Sequence, residues 1–149
     1  MAVLIYCDYG ALSDANRKKT LAHVYQALRP NGYLILYVFT PLKYQGRGEA
    51  RTWEFEQKGF WKPKPHLRLE SFLRYDDSNT FLDRRIIITD TGVDCYNIWD
   101  QTFAVDDLRR ELNSAGFADV DIYGDVAGAE YQGDSTAICA VAKKEGGRA

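Results

Sequence analysis

Residues 2–39 read AVLIYCDYGALSDANRKKTLAHVYQALRPNGYLILYVF, and this stretch decides the fold. Its opening, Ala2 to Cys7, is a continuous apolar run that ends in Asp8-Tyr9-Gly10. Such a run reads as a strand covered on both faces, as in a parallel sheet. Ser13 then offers a side-chain cap and Asp14 stands in the first turn. Leu21, Val24, Tyr25 and Leu28 recur at helical spacing, which predicts a helix. Arg29-Pro30-Asn31-Gly32 ends it, because proline cannot continue the helix and Asn-Gly tolerates left-handed turns. Tyr33 to Phe39 is a second apolar strand. Strand, helix, turn and strand make a βαβ unit, whose crossover is expected to be right-handed.

Outward from this unit the pattern changes. Pro41 to Pro65 carries six basic residues against three acids, together with Trp53, Phe55, Phe60 and Trp61. It reads as a long connection with room for a helical turn. Three strand-like runs follow, Leu67–Tyr75, Thr80–Thr89 and Val93–Phe103, separated by Asp76-Asp77-Ser78-Asn79 and Asp90-Thr91-Gly92, which predicts an antiparallel meander. On its first strand Leu67, Leu69, Leu73 and Tyr75 share one face, and Arg68, Glu70, Phe72 and Arg74 the other. The last third returns to the α/β pattern. Asp106 to Ala115 predicts a helix with Leu108 and Leu112 inward, and Gly116 suits the left-handed position after it. Ala104 stands where Ser or Thr would cap, a loss of about 1 kcal/mol. Asp119 to Tyr123 and Ser135 to Ala142 are the final strands.

The composition narrows the function classes. The chain has 149 residues, with 46% apolar, 27% charged and a net charge of −2. That suits one soluble domain and gives no global attraction to nucleic acid or anionic lipid. No apolar run is long enough to span a bilayer, and nothing resembles a leader peptide, so neither membrane nor secretion is expected. Cys7, Cys95 and Cys139 are scattered and odd in number, with no Cys-x-x-Cys spacing. They read as small buried hydrophobes in a reducing cytoplasm, not as a metal site or a disulfide.

Three ordered pieces resemble the class I S-adenosylmethionine-dependent methyltransferases. Ile5 to Ser13, followed by Leu28-Arg29-Pro30-Asn31-Gly32-Tyr33-Leu34-Ile35, is similar to the family's fourth strand, its helix, and the "Leu-Lys-Pro-Gly-Gly" turn before the fifth strand. Leu108 through Ala115-Gly116-Phe117 resembles the final helix and its exit. Thr136 to Lys144 resembles the antiparallel seventh strand. The resemblance implies an α/β fold: the C-terminal half of a Rossmann-like sheet, strands four to seven with the last antiparallel, carrying an inserted β-meander. Residues 1–149 then form a single partial domain, with 41–102 as an insert that covers the substrate. The expected spatial order is Ala2–Cys7, Tyr33–Phe39, the last strand, then Asp119–Tyr123.

The resemblance also implies the site. The cofactor is S-adenosylmethionine, with Cys7, Asp8 and Tyr9 on its methionine side; Asp8 and Ser13 equally suit plain helix capping. The acceptor is a small molecule. His66 is the candidate general base, since an unperturbed imidazole titrates near neutral pH; a solvated histidine at a strand edge is the other reading. Trp61, Tyr75, Tyr96 and Trp99 are candidate roof residues over the acceptor, against the commoner role of aromatics on sheets, which is core. The insert is expected to stand over the Cys7–Tyr9 end of the sheet. No Gly-x-Gly-x-Gly loop follows a first strand and no acid ends a second one, although in the family those hold the methionine moiety and ribose hydroxyls. Gly46-Arg47-Gly48 follows no strand and reads as a flexible loop. The isolated chain is therefore expected to be inactive, and its Ala2–Cys7 strand to pair with another copy in a homo-oligomer. Two other classes stay open: a non-catalytic dimerising fragment, and a small ligand- or nucleic-acid-binding module built on the basic, aromatic stretch Pro41–Pro65.

Overall fold

The computed structural model describes residues Met1–Gly146. The chain divides into two compact units, Met1–Gln45 with Gln101–Ala149, and Gly46–Asp100.

The first unit holds β1 (Ala2–Leu4), α1 (Asp14–Ala27), β2 (Tyr33–Phe39), α2 (Val105–Ser114), β7 (Asp119–Tyr123) and β8 (Ala137–Lys143). Their sheet has the order β1-β2-β8-β7. β1 is parallel to β2, and β8 is antiparallel to both β2 and β7. This is the order and direction that the sequence predicts. Alternation on β2 sends Leu34, Leu36 and Val38 into one core with Ile138, Ala140 and Ala142 of β8. Leu21 and Leu28 from the α1 side and Leu108 and Leu112 of α2 close that core from the same face of the sheet. Each buried leucine of this kind contributes about 1.5–3 kcal/mol relative to exposure.

The helix ends follow their sequence signals. The Ser13 side chain accepts from the Asn16 N–H at 3.4 Å. At the other end of α1, Lys144 donates to the carbonyls of Tyr25 (2.7 Å) and Leu28 (2.8 Å), a cation placed on the negative end of the helix. Ala104 caps α2 without a side-chain bond, while Asp106 and Asp107 occupy the first turn. Gly116 has φ +104°, and a Cβ there would lie 2.9 Å from Cζ of Tyr25, so only glycine fits. The largest boundary difference from expectation in this unit is at β1, while α2 and β8 shift by one or two residues. β1 stops at Leu4, because Tyr6 (φ 71°) and Cys7 (φ 62°) both turn left-handed and lead into a 3-10 turn, Asp8–Ala11.

The second unit is a four-stranded sheet of order β3-β4-β5-β6, made of β3 (Ala50–Glu56), β4 (His66–Tyr75), β5 (Thr80–Ile88) and β6 (Val93–Gln101). β3 pairs antiparallel with β4, and β4 with β5, as a meander requires. β3 is an addition: the sequence reading leaves this segment as a connection. On one face Arg68 joins Glu56 (2.6 Å), Glu54 (2.5 Å) and Glu70, and Arg85 joins Glu70 (2.9 Å) and Asp83. Opposite charges directly across strands stabilise such a sheet. No helix among the described residues is long and apolar enough to cross a membrane.

Candidate functional site at the carboxyl end of the first sheet

β1, β2 and β7 run in one direction, so their carboxyl ends share one edge of the sheet. In open α/β sheets that edge is where ligands bind. The residues that leave β1 there are the predicted ones. Cys7 is buried, Asp8 is exposed, and Tyr9 is fully buried. Gly10 N–H bonds to the Cys7 carbonyl at 3.1 Å and Leu12 N–H to that of Tyr9 at 3.2 Å, which fixes the turn locally.

An ion-pair clamp holds the same turn from beneath. Arg17, 4% exposed, donates to the Leu12 carbonyl at 2.9 Å, to Asp14 at 2.7 Å, and to Glu111 of α2 at 3.1–3.3 Å. The Tyr9 hydroxyl donates to the same Glu111 carboxylate at 2.5 Å. The Arg17 guanidinium also lies 5.8 Å from the Tyr9 ring centre and 5.3 Å from that of Phe103. Burial followed by the Glu111 hydrogen bond pushes the Tyr9 phenol far above its usual range, so it serves as a donor and not as a base. Burial works against the Arg17 charge, but the Glu111 bond and charge outweigh it and hold the guanidinium above its ordinary value.

On the sheet face away from the two helices, one row crosses three strands. Tyr37 of β2 stands opposite Cys139 of β8, which stands opposite Tyr123 of β7. Burial, then Cys7, Asp125 and Cys139, raise the Tyr37 phenol. Burial and Asp125 raise the Cys139 thiol. Asp125 is held by its own loop: its Oδ1 accepts from the N–H groups of Ala127 (2.8 Å) and Ala129 (3.0 Å). Sequence reading misses Tyr37 and Asp125. Only the strand register brings positions 37, 123 and 139 together, and nothing local marks it.

The remaining predicted residues lie in the second unit. His66 is 1% exposed, and its Nδ1 lies 2.9 Å from the Lys64 carbonyl, so that nitrogen carries the proton. Its Nε2 lies 3.2 Å from Glu56, the carboxylate that Arg68 also holds. Gly59 makes room for this arrangement, since a Cβ there would sit 2.2 Å from the Glu56 carboxylate. Trp61 packs on Tyr96 with ring centres 4.9 Å apart, and Trp99 on Tyr75 at 5.7 Å. Tyr96 and Trp99 are three apart on one strand, so these two aromatic pairs occupy opposite faces of the sheet. Cys95 is exposed, unlike the buried Cys7 and Cys139, and no disulfide joins them. Among the described residues no group of three or more His, Cys, Asp or Glu is arranged to hold a metal ion.

No protein-family profile and no curated protein sequence matches the chain. Solved structures do match. The CcbJ methyltransferase from Streptomyces caelestis is 14% identical, with a TM-score of 0.67 over 96% of this chain and 56% of its own. An S-adenosylmethionine-dependent methyltransferase from Clostridium acetobutylicum is 12% identical, with a TM-score of 0.67 over 97% of this chain and 57% of its own. The sugar N-methyltransferase KedS8 from a Streptoalloteichus species is 15% identical, with a TM-score of 0.56 over 96% of this chain and 55% of its own. The chain thus has the mixed α/β fold of S-adenosylmethionine-dependent methyltransferases and spans little more than half the length of these three.

Proposed function

We propose that this chain is part of an S-adenosylmethionine-dependent methyltransferase acting on a small-molecule acceptor. The sheet order β1-β2-β8-β7 with its antiparallel β8, matched at a TM-score of 0.67, is the observation that supports the reading best. In this reading S-adenosylmethionine lies against the carboxyl end of β1. Asp8 is exposed and takes the cofactor's amino group, Cys7 walls the pocket, and Tyr9 acts from below by fixing the turn. Methyl transfer is a single displacement: the bond from methyl carbon to acceptor forms as the carbon–sulfur bond breaks, and its electron pair stays on sulfur. Alignment and exclusion of water are the main tasks of such a site. The insert 41–102 is the candidate acceptor-binding segment in this reading; its Trp61–Tyr96 and Tyr75–Trp99 pairs lie on opposite faces of its sheet, so no more than one of them serves the acceptor. His66 is the base in this reading, a role that requires its buried Nε2, which has no hydrogen-bond partner among the described residues, to become accessible.

Within these 149 residues there is no Gly-x-Gly-x-Gly loop. The reading therefore gives the isolated chain weak cofactor binding and no turnover. The test is a titration of the isotopically labelled chain with S-adenosylmethionine, followed by NMR. The expected result is shifts at Cys7, Asp8 and Tyr9 with a dissociation constant near 1 mM, about 4 kcal/mol, and their loss in Asp8→Ala. Low-micromolar binding without a partner, or no shift at those residues, overturns the reading. The same reading assigns the outer edge of β1 to a second copy of the chain.

A further inference from the structure

A groove between α1 and α2 is left unfilled by the Arg17–Glu111 clamp. Its volume is about 430 Å³, inside the range of about 300–1,000 Å³ that small-molecule sites occupy. Leu21, 2% exposed, is its floor. The two helices run the same way, since Arg17 meets Glu111 and, further along, Gly116 meets Tyr25. Residues four apart stand one above the other on a helix, and the walls are built of such pairs. Lys18 leads to Ala22 on α1, Arg110 to Ser114 and Glu111 to Ala115 on α2. One end of the groove is therefore charged, and the other is lined by small side chains that leave it open.

The polar groups around it differ in what they already hold. The Ser114 hydroxyl donates back to the Arg110 carbonyl at 2.7 Å. Both Glu111 oxygens accept from Arg17 and one also from the Tyr9 hydroxyl, so the acid in the wall is matched. Asp14, one turn before Lys18, is held by Arg17 at 2.7 Å. Arg110 gives its Nε to the Asp106 carbonyl at 3.3 Å and its Nη2 to Asp107, which leaves Nη1 without a hydrogen bond among the described residues. Lys18 has neither a hydrogen bond nor an ion pair among the described residues. Each helix thus offers one free cationic donor at the charged end, beside an apolar floor. An anionic head is complementary to both donors. An apolar body behind it would cover Leu21, Ala22 and Ala115.

We propose that this groove is a binding site for a small carboxylate with an apolar body, its head on Lys18 Nζ and Arg110 Nη1 and its body on Leu21 between Ala22 and Ala115. The site is separate from the Cys7–Tyr9 turn and does not rest on the function proposed above. The two residue types divide the recognition. The cations select a charged head over a neutral one, and the small side chains set the room for the body.

The test titrates the full, isotopically labelled chain with 3-phenylpropanoate and with 3-phenylpropanamide, which share the body and differ in the charge of the head. The carboxylate is expected to shift the methyl resonances of Leu21, Ala22 and Ala115 in a saturable way, and the amide to bind about tenfold more weakly, the scale of one charge-assisted hydrogen bond. Lys18→Gln removes a charge from an exposed helix position and is expected to weaken the carboxylate about tenfold while leaving the amide unchanged. Ala22→Leu fills the open end and is expected to abolish binding of both. Lys19→Gln, next to the groove in sequence but not part of its lining, is expected to bind as the parent does. No saturable shift, equal affinity for the two probes, or unchanged carboxylate binding in Lys18→Gln with an otherwise unaltered spectrum overturns the proposal. So does an Ala22→Leu chain that still binds. Because no S-adenosylmethionine is present, failure here leaves the methyltransferase reading to its own titration.

Discussion

Replacing Glu111 by Ala should remove the partner on which the Arg17 clamp depends. Glu111 accepts bonds from Arg17 and from the Tyr9 hydroxyl, and its own side chain is 29% exposed. Breaking a fully buried pair costs about 3–5 kcal/mol, mostly as an uncompensated charge left behind. Here Asp14 and the Leu12 carbonyl still receive two of the guanidinium's N–H groups, and water reaches the vacated position. The expected cost is therefore smaller, about 2–3 kcal/mol. Arg17→Met should cost about 1–2 kcal/mol, because the remaining carboxylate keeps the Tyr9 hydroxyl and gains water. The double variant should cost about 1 kcal/mol less than the sum, since the second change no longer orphans a charge. Urea unfolding followed by far-ultraviolet circular dichroism is the suitable assay. Both helices lie in the first unit, whereas Trp53, Trp61 and Trp99 all lie in the second and would report on that unit instead. High salt should reduce the coupling only slightly, because Arg17 is buried. Strictly additive costs, or a Glu111→Ala cost below about 0.5 kcal/mol, would refute the clamp as described.

Two further outcomes follow from exposure. Under native conditions a thiol reagent should modify Cys95 first, with Cys7 and Cys139 reacting only as the chain unfolds; burial and Asp125 both keep the Cys139 thiol protonated. Equal rates for all three, counted by mass spectrometry, would contradict the burial pattern. β1 is the outermost strand of its sheet, with Val3 and Ile5 nearly half exposed, so the proposed pairing with a second copy predicts a concentration-dependent dimer in sedimentation. Val3→Lys on that strand should shift the equilibrium to monomer, and a parent chain that stays monomeric at high concentration would remove the proposal.

Much of the first sheet was legible because β1, β2 and β8 are apolar runs, β7 alternates polar with apolar residues, and the turns between elements carry residues with one physical meaning. Arg29-Pro30-Asn31-Gly32 marks the crossover, with Asn31 left-handed (φ 60°), and Gly116 marks the exit of α2. The shortening of β1 was not legible, since Tyr6 and Cys7 are ordinary strand formers and carry no signal for left-handed backbone. β3 carries the opposite lesson. Arg51, Trp53 and Phe55 alternate with Thr52, Glu54 and Glu56, a period-2 pattern hidden by charge; the charges are there because Glu54 and Glu56 pair with Arg68 across the strands. Cys7, Asp8 and Tyr9 could be singled out from their place after the first strand. That Tyr9 faces inward and Asp8 outward depends on a 3-10 turn, which no sequence period announces.

The left-handed pair at Tyr6 and Cys7 and the clamp under Tyr9 are two parts of one arrangement. A non-glycine residue in the left-handed region costs about 1–2 kcal/mol, so two in succession persist only where their surroundings enforce them. The enforcement is visible: Cys7 and Tyr9 are both buried, and Arg17 pulls the Leu12 carbonyl to α1 while Glu111 draws the Tyr9 hydroxyl to α2. A relaxed path would let β1 continue toward Cys7 along β2. The strained path instead stops the strand at Leu4, leaves Tyr6 88% exposed, and turns Asp8 to solvent at the strand's carboxyl end. Strain of this kind clusters at active sites, ligand clamps and switch regions. The clamp holds that geometry within the folded chain, so in the proposed site the cost of positioning Asp8 falls on folding and not on binding.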